Sequence, residues 1–375
     1  MMQGIMSESF EEKTQKYSTW GDKYLQHTDV LHAIQYEDTF KPINIQLALC
    51  ESCDSDCPFC SVAARPLKSF IPYHKLIKML LEFKHLGAKA VEITGGGNPM
   101  LYRDKEAGKN INDVIRYAAG IGYDVGIITN TEDFTRHLDP KVYDMINWIR
   151  VSLIKLDEGK EPEDYNFGGF PLDRIGLSYI IYESTGDQPD ELSRTRKIYP
   201  GTSPETIKKI ARLIELNSEI KFCRIAGNAL VPGAQVEAQQ IFRPVIQELD
   251  RHNKFFIKEI WDNDVAFKEG CYVGLTRPYI APHPDGGDYQ IYMCTSHVLE
   301  KRTYDLEFSL GSIDNVKQIY RECNVNYAMY GYPYQVRNNK GDNWDTSCGT
   351  CLYYNNNRLL HTVAQSMDEN DRNFA

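Results

Sequence analysis

Short apolar runs alternate along the chain with longer segments in which apolar residues recur every three or four positions. The runs predict strands at 43–50, 90–94, 124–129, 148–154, 176–182, 221–226 and 254–260. The segments between them predict amphipathic helices. Leu76, Leu80 and Phe83 share one face of a helix that Gly87 ends, and Thr202 with Glu205 forms a capping pattern before another.

This alternation, repeated about six times, predicts an α/β fold with a parallel sheet that is open or closed into a barrel. In such folds the chemistry lies at the carboxyl ends of the strands, and five residues mark those ends: Cys50, Thr94, Thr129, Ser152 and Ala226.

The pattern changes near residue 262, where a hairpin that turns at residues 285–287 precedes a Tyr- and Asn-rich segment. We therefore expect an N-terminal extension over 1–42, an α/β unit over 43–262 and a small cysteine-rich β-hairpin domain over 263–375. A helix of the extension is expected to cover the floor of the barrel.

Composition narrows the class of protein. The chain has 42% hydrophobic and 25% charged residues, as in a globular protein, and its net charge of −10 argues against non-specific attraction to nucleic acid. No apolar run approaches the roughly 20 residues of a membrane span, and the polar start lacks the apolar core of a signal peptide. A cytoplasmic location is expected, where thiols stay reduced. The basic cluster of Arg194, Arg196 and Lys197 is interpreted as a solvated loop.

Four of the ten cysteines lie within eleven residues, directly after the first predicted strand. One interpretation is a structural zinc loop, and another is a ferredoxin-type site that ligates every iron. The third takes only Cys53, Cys57 and Cys60 as ligands, which leaves one iron of a [4Fe–4S] cluster open. Cys50 is then a packing residue, and Cys223 and Cys323 are buried small residues.

Cys53, Cys57 and Cys60, with Phe59 before the last of them, resemble the signature loop of radical S-adenosylmethionine (SAM) enzymes. The resemblance implies a partial (β/α)6 TIM-like barrel whose open iron binds the amino and carboxylate groups of SAM. Reductive cleavage of SAM gives methionine and a 5′-deoxyadenosyl radical, which abstracts hydrogen from a substrate. A reducing partner such as flavodoxin or ferredoxin would supply the electron.

The resemblance continues over about 180 residues and implies further contacts with SAM. A glycine run at the second strand matches the family's glycine pair, but Asn98 stands near the family's acidic position, so only backbone carbonyls are carried over there. The residues implied in cofactor binding are Phe59, Gly95, Gly96, Gly97, Asn98, Thr129, Asn130, Ser152, Ile225, Gly227 and Asn228.

A second cysteine set consists of Cys271, Cys294, Cys348 and Cys351. It resembles the twitch or SPASM extension of radical SAM enzymes, which holds an auxiliary iron–sulfur cluster, and four thiolates suffice for one auxiliary [4Fe–4S] cluster. A zinc site with four cysteine ligands remains the alternative, because spacing alone does not separate the two.

The substrate is the least constrained prediction. A weak resemblance to bacteriophage-encoded radical SAM proteins suggests an amino-acid-like adduct on a nucleobase, as in hypermodified DNA, changed by isomerisation or oxidation. The alternatives are a peptide or protein side chain, and a zinc-stabilised binding protein without activity. Polar residues predicted to face the substrate are Lys155, Asp157, Arg224 and His297.

Overall fold

A computed structural model describes residues 9–17, 21–186, 190–231, 234–258, 270–299, 301–330, 351 and 353–365. Its centre is one ten-stranded sheet in the order β12-β11-β10-β1-β2-β5-β6-β7-β8-β9. All neighbours from β10 through β1 to β9 pair in parallel, whereas β10, β11 and β12 pair antiparallel. The predicted α/β class and parallel sheet are confirmed.

The strands are β1 Asn44–Ala48, β2 Ala90–Thr94, β3 Arg103–Asp104, β4 Lys109–Asn110, β5 Asp124–Thr129, β6 Trp148–Ser152, β7 Ile175–Ile181, β8 Phe222–Gly227, β9 Phe255–Ile257, β10 Tyr279–Pro282, β11 Tyr289–Tyr292 and β12 Ser309–Ser312. The two short strands β3 and β4 form a separate hairpin. Each strand predicted between residues 43 and 260 has its counterpart within a few positions, because hydrophobic runs bounded by turns are a strong signal for buried strands.

The α-helices are α1 Phe10–Tyr17, α2 Thr28–Tyr36, α3 Tyr73–His85, α4 Ile111–Gly120, α5 Ile154–Asp157, α6 Pro204–Leu216, α7 Ala234–Leu249, α8 Val273–Thr276, α9 Val316–Glu322, α10 Val325–Tyr330 and α11 Tyr354–Ala364. Gly87 has a φ of 106° and ends α3 as predicted. The cap of α6 is Ser203, whose side chain accepts from the Thr206 amide, so the predicted cap at Thr202 is one residue too early.

The apolar core lies between the sheet and the helices. Along the strands, every second side chain faces the helices and is fully buried there, including Ile45, Val91, Val125, Ile149 and Leu177. Leu76 and Leu80 of α3 complete this layer from the helix side. The opposite face of the strands is therefore the interior of the barrel.

The N-terminal helix α1 lies near the amino ends of two strands. Tyr17 stacks on Phe222 at the start of β8, with ring centroids 4.6 Å apart. Lys13 donates to the Phe255 carbonyl at the start of β9 over 2.9 Å. This is the end of the barrel opposite the cysteine loop.

The predicted hairpin is confirmed as β10 and β11, but it does not form a sheet of its own. β10 pairs with β1 and extends the barrel sheet, with Gln46 opposite Tyr279. Residues 259–269, around the predicted domain boundary, lie outside the described residues, and the boundary stays a prediction.

Candidate functional site

The three predicted ligand thiols are neighbours in the loop that follows β1. Burial raises the pKa of Cys57 well above its usual value, and the nearby thiols of Cys60 and Cys53 raise it further. Burial also raises the pKa of Cys53. Because these thiols lie close together, the ionisation of one opposes that of the others. Bound iron would offset this repulsion and stabilise all three as thiolates.

Two arginines that the sequence analysis missed hold this loop. Arg65, 2% exposed, donates from Nη1 to the Cys60 sulfur over 3.3 Å and from Nε to the Glu51 carbonyl over 2.9 Å. Arg302 donates to the carbonyls of Cys60 and Pro58, each over 3.0 Å. The sequence offered only a weak signal for Arg65, a single cation five residues after the last cysteine.

The basic cluster at residues 194–197 lies in an exposed loop, as interpreted, and its first arginine also contacts the cysteine loop. Arg194 forms an ion pair with Asp56 over 3.1 Å, and Ser193 and Thr195 also donate to that carboxylate. Burial opposes ionisation of Asp56, but these hydrogen bonds outweigh it and lower its pKa to about 2. The segment thus pins the cysteine loop from outside.

The glycine run after β2 presses against the start of the cysteine loop. The Gly97 amide donates to the Cys50 carbonyl over 2.9 Å, and the Asn98 amide donates to the Ser52 carbonyl over 2.7 Å. A Cβ at Gly97 would overlap the backbone of Glu51 and Ser52, and one at Gly96 would overlap the Glu51 carboxyl group. None of the three glycines has a positive φ, so close approach rather than a tight turn requires glycine here.

The side chains of Asn98, Thr129 and Asn130 form hydrogen bonds with other residues of the protein. The Asn98 amide group donates to Asp54 and to Thr131 and accepts from the Thr129 hydroxyl over 2.9 Å. Asn130 donates to Ser55 over 2.7 Å and lies 3.8 Å from the Cys53 sulfur. These predicted cofactor contacts therefore position the cysteine loop, and direct contact of their side chains with SAM stays a prediction.

The other predicted cofactor residues lie in different environments. Ser152 shares the inner face of β6 with Arg150, as a cofactor contact requires. Ile225 is fully buried in the core on the helix side, so its side chain does not face the barrel interior. Gly227 ends β8, and Asn228 accepts from the Leu230 amide in the turn that follows. Phe59 packs against Tyr182, with ring centroids 5.2 Å apart.

Cys50 agrees with its interpretation as a packing residue. It is buried in the core, its thiol donates to the Asn98 carbonyl over 3.3 Å, and burial raises its pKa to about 12. Cys223 and Cys323 are buried as predicted.

The four predicted substrate-facing residues do not come together. Lys155 bridges Asp54 and Glu158, each over 3.1 Å. Asp157 accepts from the hydroxyls of Tyr179 and Tyr182, and burial raises its pKa to about 6.

His297 is 1% exposed and stacks on Tyr292, and burial lowers its pKa to about 4. Arg224 alone of the four lies on the inner face of the barrel, where it donates to Ser178 over 2.9 Å.

Three of the four auxiliary cysteines lie in one small cluster, and Cys348 lies outside the described residues. Cys271 and Cys294 are buried together with Tyr353, and Cys351 packs against them. Asn357 of α11 donates to the Cys351 sulfur over 3.5 Å, and its carbonyl accepts from the amides of Tyr272 and Val273. The set fits a thiolate-bound metal centre chemically.

Within the described ranges, no three His, Cys, Asp or Glu side chains meet in the way that a single metal ion requires. The thiolates of a [4Fe–4S] cube bind different iron atoms, so a cluster asks for neighbouring thiols rather than thiols that meet at one point. Cys53, Cys57 and Cys60 satisfy that condition, and so do the three described members of the second set, Cys271, Cys294 and Cys351. In the same ranges, none of the helices has the length and apolar character needed to cross a membrane.

The chain is similar to known proteins in structure, but no similarity is found by sequence. No family model matches the chain, and no curated protein matches it by sequence. Streptococcus suis SuiB bound to its precursor peptide SuiA is similar in structure, with a TM-score of 0.53 at 16% identity over 88% of this chain and 75% of that one.

SuiB bound to S-adenosylmethionine gives a TM-score of 0.50 at 15% identity over 82% of this chain and 73% of that one. At such identities the likeness concerns the fold. The described chain therefore shares its fold with SuiB, an α/β fold built around a mostly parallel sheet.

Proposed function

We propose that this protein is a radical SAM enzyme. The observation that carries the proposal is the neighbouring placement of Cys53, Cys57 and Cys60 at the carboxyl end of β1 in a barrel of this fold. A [4Fe–4S] cluster held there would supply the electron that cleaves SAM to a 5′-deoxyadenosyl radical.

The residues around the thiols have separate tasks in this proposal. Arg65 donates a hydrogen bond to the Cys60 sulfur and offsets negative charge at the site. The backbone of Gly95, Gly96 and Gly97 and the inner face at Ser152 offer polar groups to SAM. Phe59 and Tyr182 exclude water from one side of the loop.

Anaerobic reconstitution with iron and sulfide tests this function. Dithionite-reduced protein is expected to release 5′-deoxyadenosine from SAM, and Cys57→Ala is expected to reduce the release to background. Cys50→Ala is the matched control, because Cys50 is a buried neighbour that ligates nothing in this proposal. Protein that binds only zinc and leaves SAM intact would contradict the proposal in favour of the binding protein.

A second [4Fe–4S] cluster is proposed at Cys271, Cys294, Cys348 and Cys351. The convergence of three of these residues near Tyr353 supports it. The protein should then hold about eight iron atoms, four in each cluster. Cys351→Ala should lower the iron content to about four and retain some SAM cleavage, whereas zinc in place of that iron would select the alternative of a four-cysteine zinc site.

For the substrate, we propose an amino-acid-like group attached to a nucleobase, with isomerisation or oxidation as the outcome. A peptide substrate is the alternative that a specific observation favours, since the structurally similar SuiB binds a precursor peptide. Incubation of the reduced enzyme and SAM with a modified nucleobase or with a peptide decides between the two substrates. The true substrate raises 5′-deoxyadenosine formation above the substrate-free rate.

A further inference from the structure

The inner face of the barrel is polar and charged in the middle of its strands. Because side chains alternate, the residues between the helix-facing positions point inward. Register places Gln46 beside Glu92 on β1 and β2, and Ser178 beside Arg224 on β7 and β8. The inward-facing set is Gln46, Glu92, Arg150, Ser178 and Arg224.

Positive charge exceeds negative charge in this interior. Arg150, Arg224, Arg277 and Lys258 are close enough that repulsion among them lowers the pKa of Lys258. Among the described residues, the carboxylate that acts on all four of them is Glu92.

Both carboxylate oxygens of Glu92 already have partners. Its Oε2 pairs with Arg277 Nη2 over 3.1 Å, and its Oε1 accepts from Gln46 over 2.9 Å. This carboxylate therefore forms its ion pair with Arg277, one of the four cations.

The remaining three cations have few partners among the described residues. The Nε atoms of Arg150 and Arg224 are buried without a hydrogen bond. Arg224 donates only to the neutral Ser178 hydroxyl, and no hydrogen bond or ion pair joins the Lys258 ammonium to the described part of the chain. Buried cations without counter-charge are costly, and a bound anion would relieve that cost.

The pKa values agree with this geometry. Burial, together with repulsion from neighbouring arginines, lowers the pKa of Arg224 to about 9 and that of Lys258 to about 7. As whole residues Arg150, Arg224 and Lys258 are half-buried, while the Nε atoms of the two arginines are fully covered.

The cation cluster also reaches the auxiliary cysteines. The Arg277 guanidinium lies over the Tyr353 ring, 5.6 Å from its centroid, and donates to the Tyr353 hydroxyl over 3.3 Å. Tyr353 in turn packs with Cys271 and Cys294. A ligand on these cations would lie within the barrel, near Tyr353 and the second cysteine set.

We propose that Arg150, Arg224 and Lys258 form a binding site for an oxyanion, a carboxylate or a phosphate, that the substrate carries. The planar guanidinium forks suit both groups, which present oxygen pairs at matching spacing. That the anion belongs to a substrate rests on the proposed function, whereas the anion site itself does not. The substrate is thus an acidic molecule held by its anionic end.

Thermal unfolding of the full chain at constant ionic strength tests the site, with sodium phosphate and sodium succinate compared against chloride. Either oxyanion should raise the Tm of the wild-type protein by about 2–5 °C at tens of millimolar. A shift with succinate alone assigns a carboxylate, one with phosphate alone assigns a phosphate, and the absence of both overturns the proposal.

The matched variants are Arg224→Met inside the barrel and Arg251→Met on the surface, where the Arg251 side chain is 74% exposed. Arg224→Met should lose the oxyanion response and, in chloride, unfold a few degrees above wild type, because an unpaired buried charge is gone. Arg251→Met should keep the response. Lys258→Met gives a second test should Arg224→Met fail to fold, and an unchanged response in both interior variants would overturn the site.

Two further readouts separate this inference from the proposed function. SAM binding should survive in Arg224→Met, and its loss would place the cations in the cofactor site instead. Wild-type protein that releases 5′-deoxyadenosine but ignores oxyanions contradicts only the anion site. Protein that responds to oxyanions but leaves SAM intact contradicts only the radical SAM proposal.

Discussion

The buried guanidinium of Arg65 joins the thiol of Cys60 to the carboxyl group of Glu51. Its Nε lies 3.6 Å from Glu51 Oε2, and its Nη1 donates to the Cys60 sulfur. Burial raises the pKa of Glu51 to about 8 despite this arginine and despite the hydrogen bond from Tyr304. The Arg65 side chain thus acts on the charge of both Cys60, a proposed cluster ligand, and the buried Glu51 carboxyl group.

Arg65→Met should lower the reduction potential of the first cluster by tens of millivolts. Hydrogen bonds and positive charge near cluster sulfurs favour the reduced state, and the methionine supplies neither. A redox titration followed by electron paramagnetic resonance measures the change. Arg302→Met is the control, since Arg302 donates to two carbonyl groups of the same loop and to Asp190 but to no sulfur atom of the described residues. Equal shifts in both variants would refute the role of the sulfur contact.

Gly97→Ala should destabilise the protein by about 1–3 kcal/mol, because its Cβ would overlap the backbone of residues 51 and 52. Urea unfolding of the unreconstituted chain measures the change. Gly120→Ala is the matched control: Gly120 has open space around it and an ordinary φ, so alanine there should be neutral or slightly stabilising. Equal stability of the two variants would show that the glycine run tolerates a side chain.

Single residues were predicted unevenly from the sequence, for physical reasons. The cysteines stand out because their spacing is local, and Cys50 was separable because it ends a strand. Asn98 and Thr129 were assigned to the cofactor, which stays a prediction, but the sequence did not indicate that Asn98 donates to Asp54 of the cysteine loop and accepts from Thr129. Such partners are far apart in the chain, and the sequence does not indicate which polar groups satisfy one another.

At the scale of elements, α11 anchors the auxiliary cysteines. The Asn357 side chain accepts from two amides at the start of α8 and donates to Cys351, so one helix fixes both halves of the second site. The Tyr- and Asn-rich composition of this segment was noted in the sequence, but the role of one asparagine among several consecutive ones was not visible.

Asn357→Leu should remove the auxiliary cluster and leave the first. Two buried amides lose their acceptor at a cost of about 1–3 kcal/mol each, and Cys351 loses its contact with α11. Iron content should fall from about eight to about four atoms per chain. Arg358→Ala, on the exposed side of the same helix, should leave iron content unchanged, and an iron loss common to both variants would point to general destabilisation of α11.

The strands and their parallel pairing were accessible from the sequence because apolar runs and strand–helix alternation are local signals. The cations inside the barrel were harder to predict. Glu92, Arg150 and Arg224 each interrupt an apolar strand, and a charged residue in the middle of such a run was the available signal for an inward-facing site. Whether these side chains lie close together depends on register and strand tilt, which a single sequence does not specify.

For the whole molecule, Lys258 makes stability depend on pH. Burial, with repulsion from Arg224, Arg150 and Arg277, depresses its pKa from 10.5 to about 7 in the folded state, and Glu92, which opposes this shift, stays ionised. Between these two values the unfolded chain binds more protons, so this residue's contribution to stability rises with pH.

Lys258→Met should therefore be more stable than wild type at pH 7, and its advantage should shrink by pH 10. The measurement is the difference in Tm between the two proteins without added oxyanion at each pH, which cancels the titration of the thiols and tyrosines that both share. An advantage that stays constant or grows with pH would show that Lys258 is not desolvated in the folded protein.

The parallel pairing of β10 with β1 has a practical consequence for anyone who divides this protein. Because the hairpin completes the sheet beside the strand that leads into the cysteine loop, expression of residues 43–262 alone would leave β1 with an open flank of unpaired amides and carbonyls. Such a fragment should self-associate through that flank, and supplying the missing strand in trans as a synthetic peptide should restore a monodisperse species.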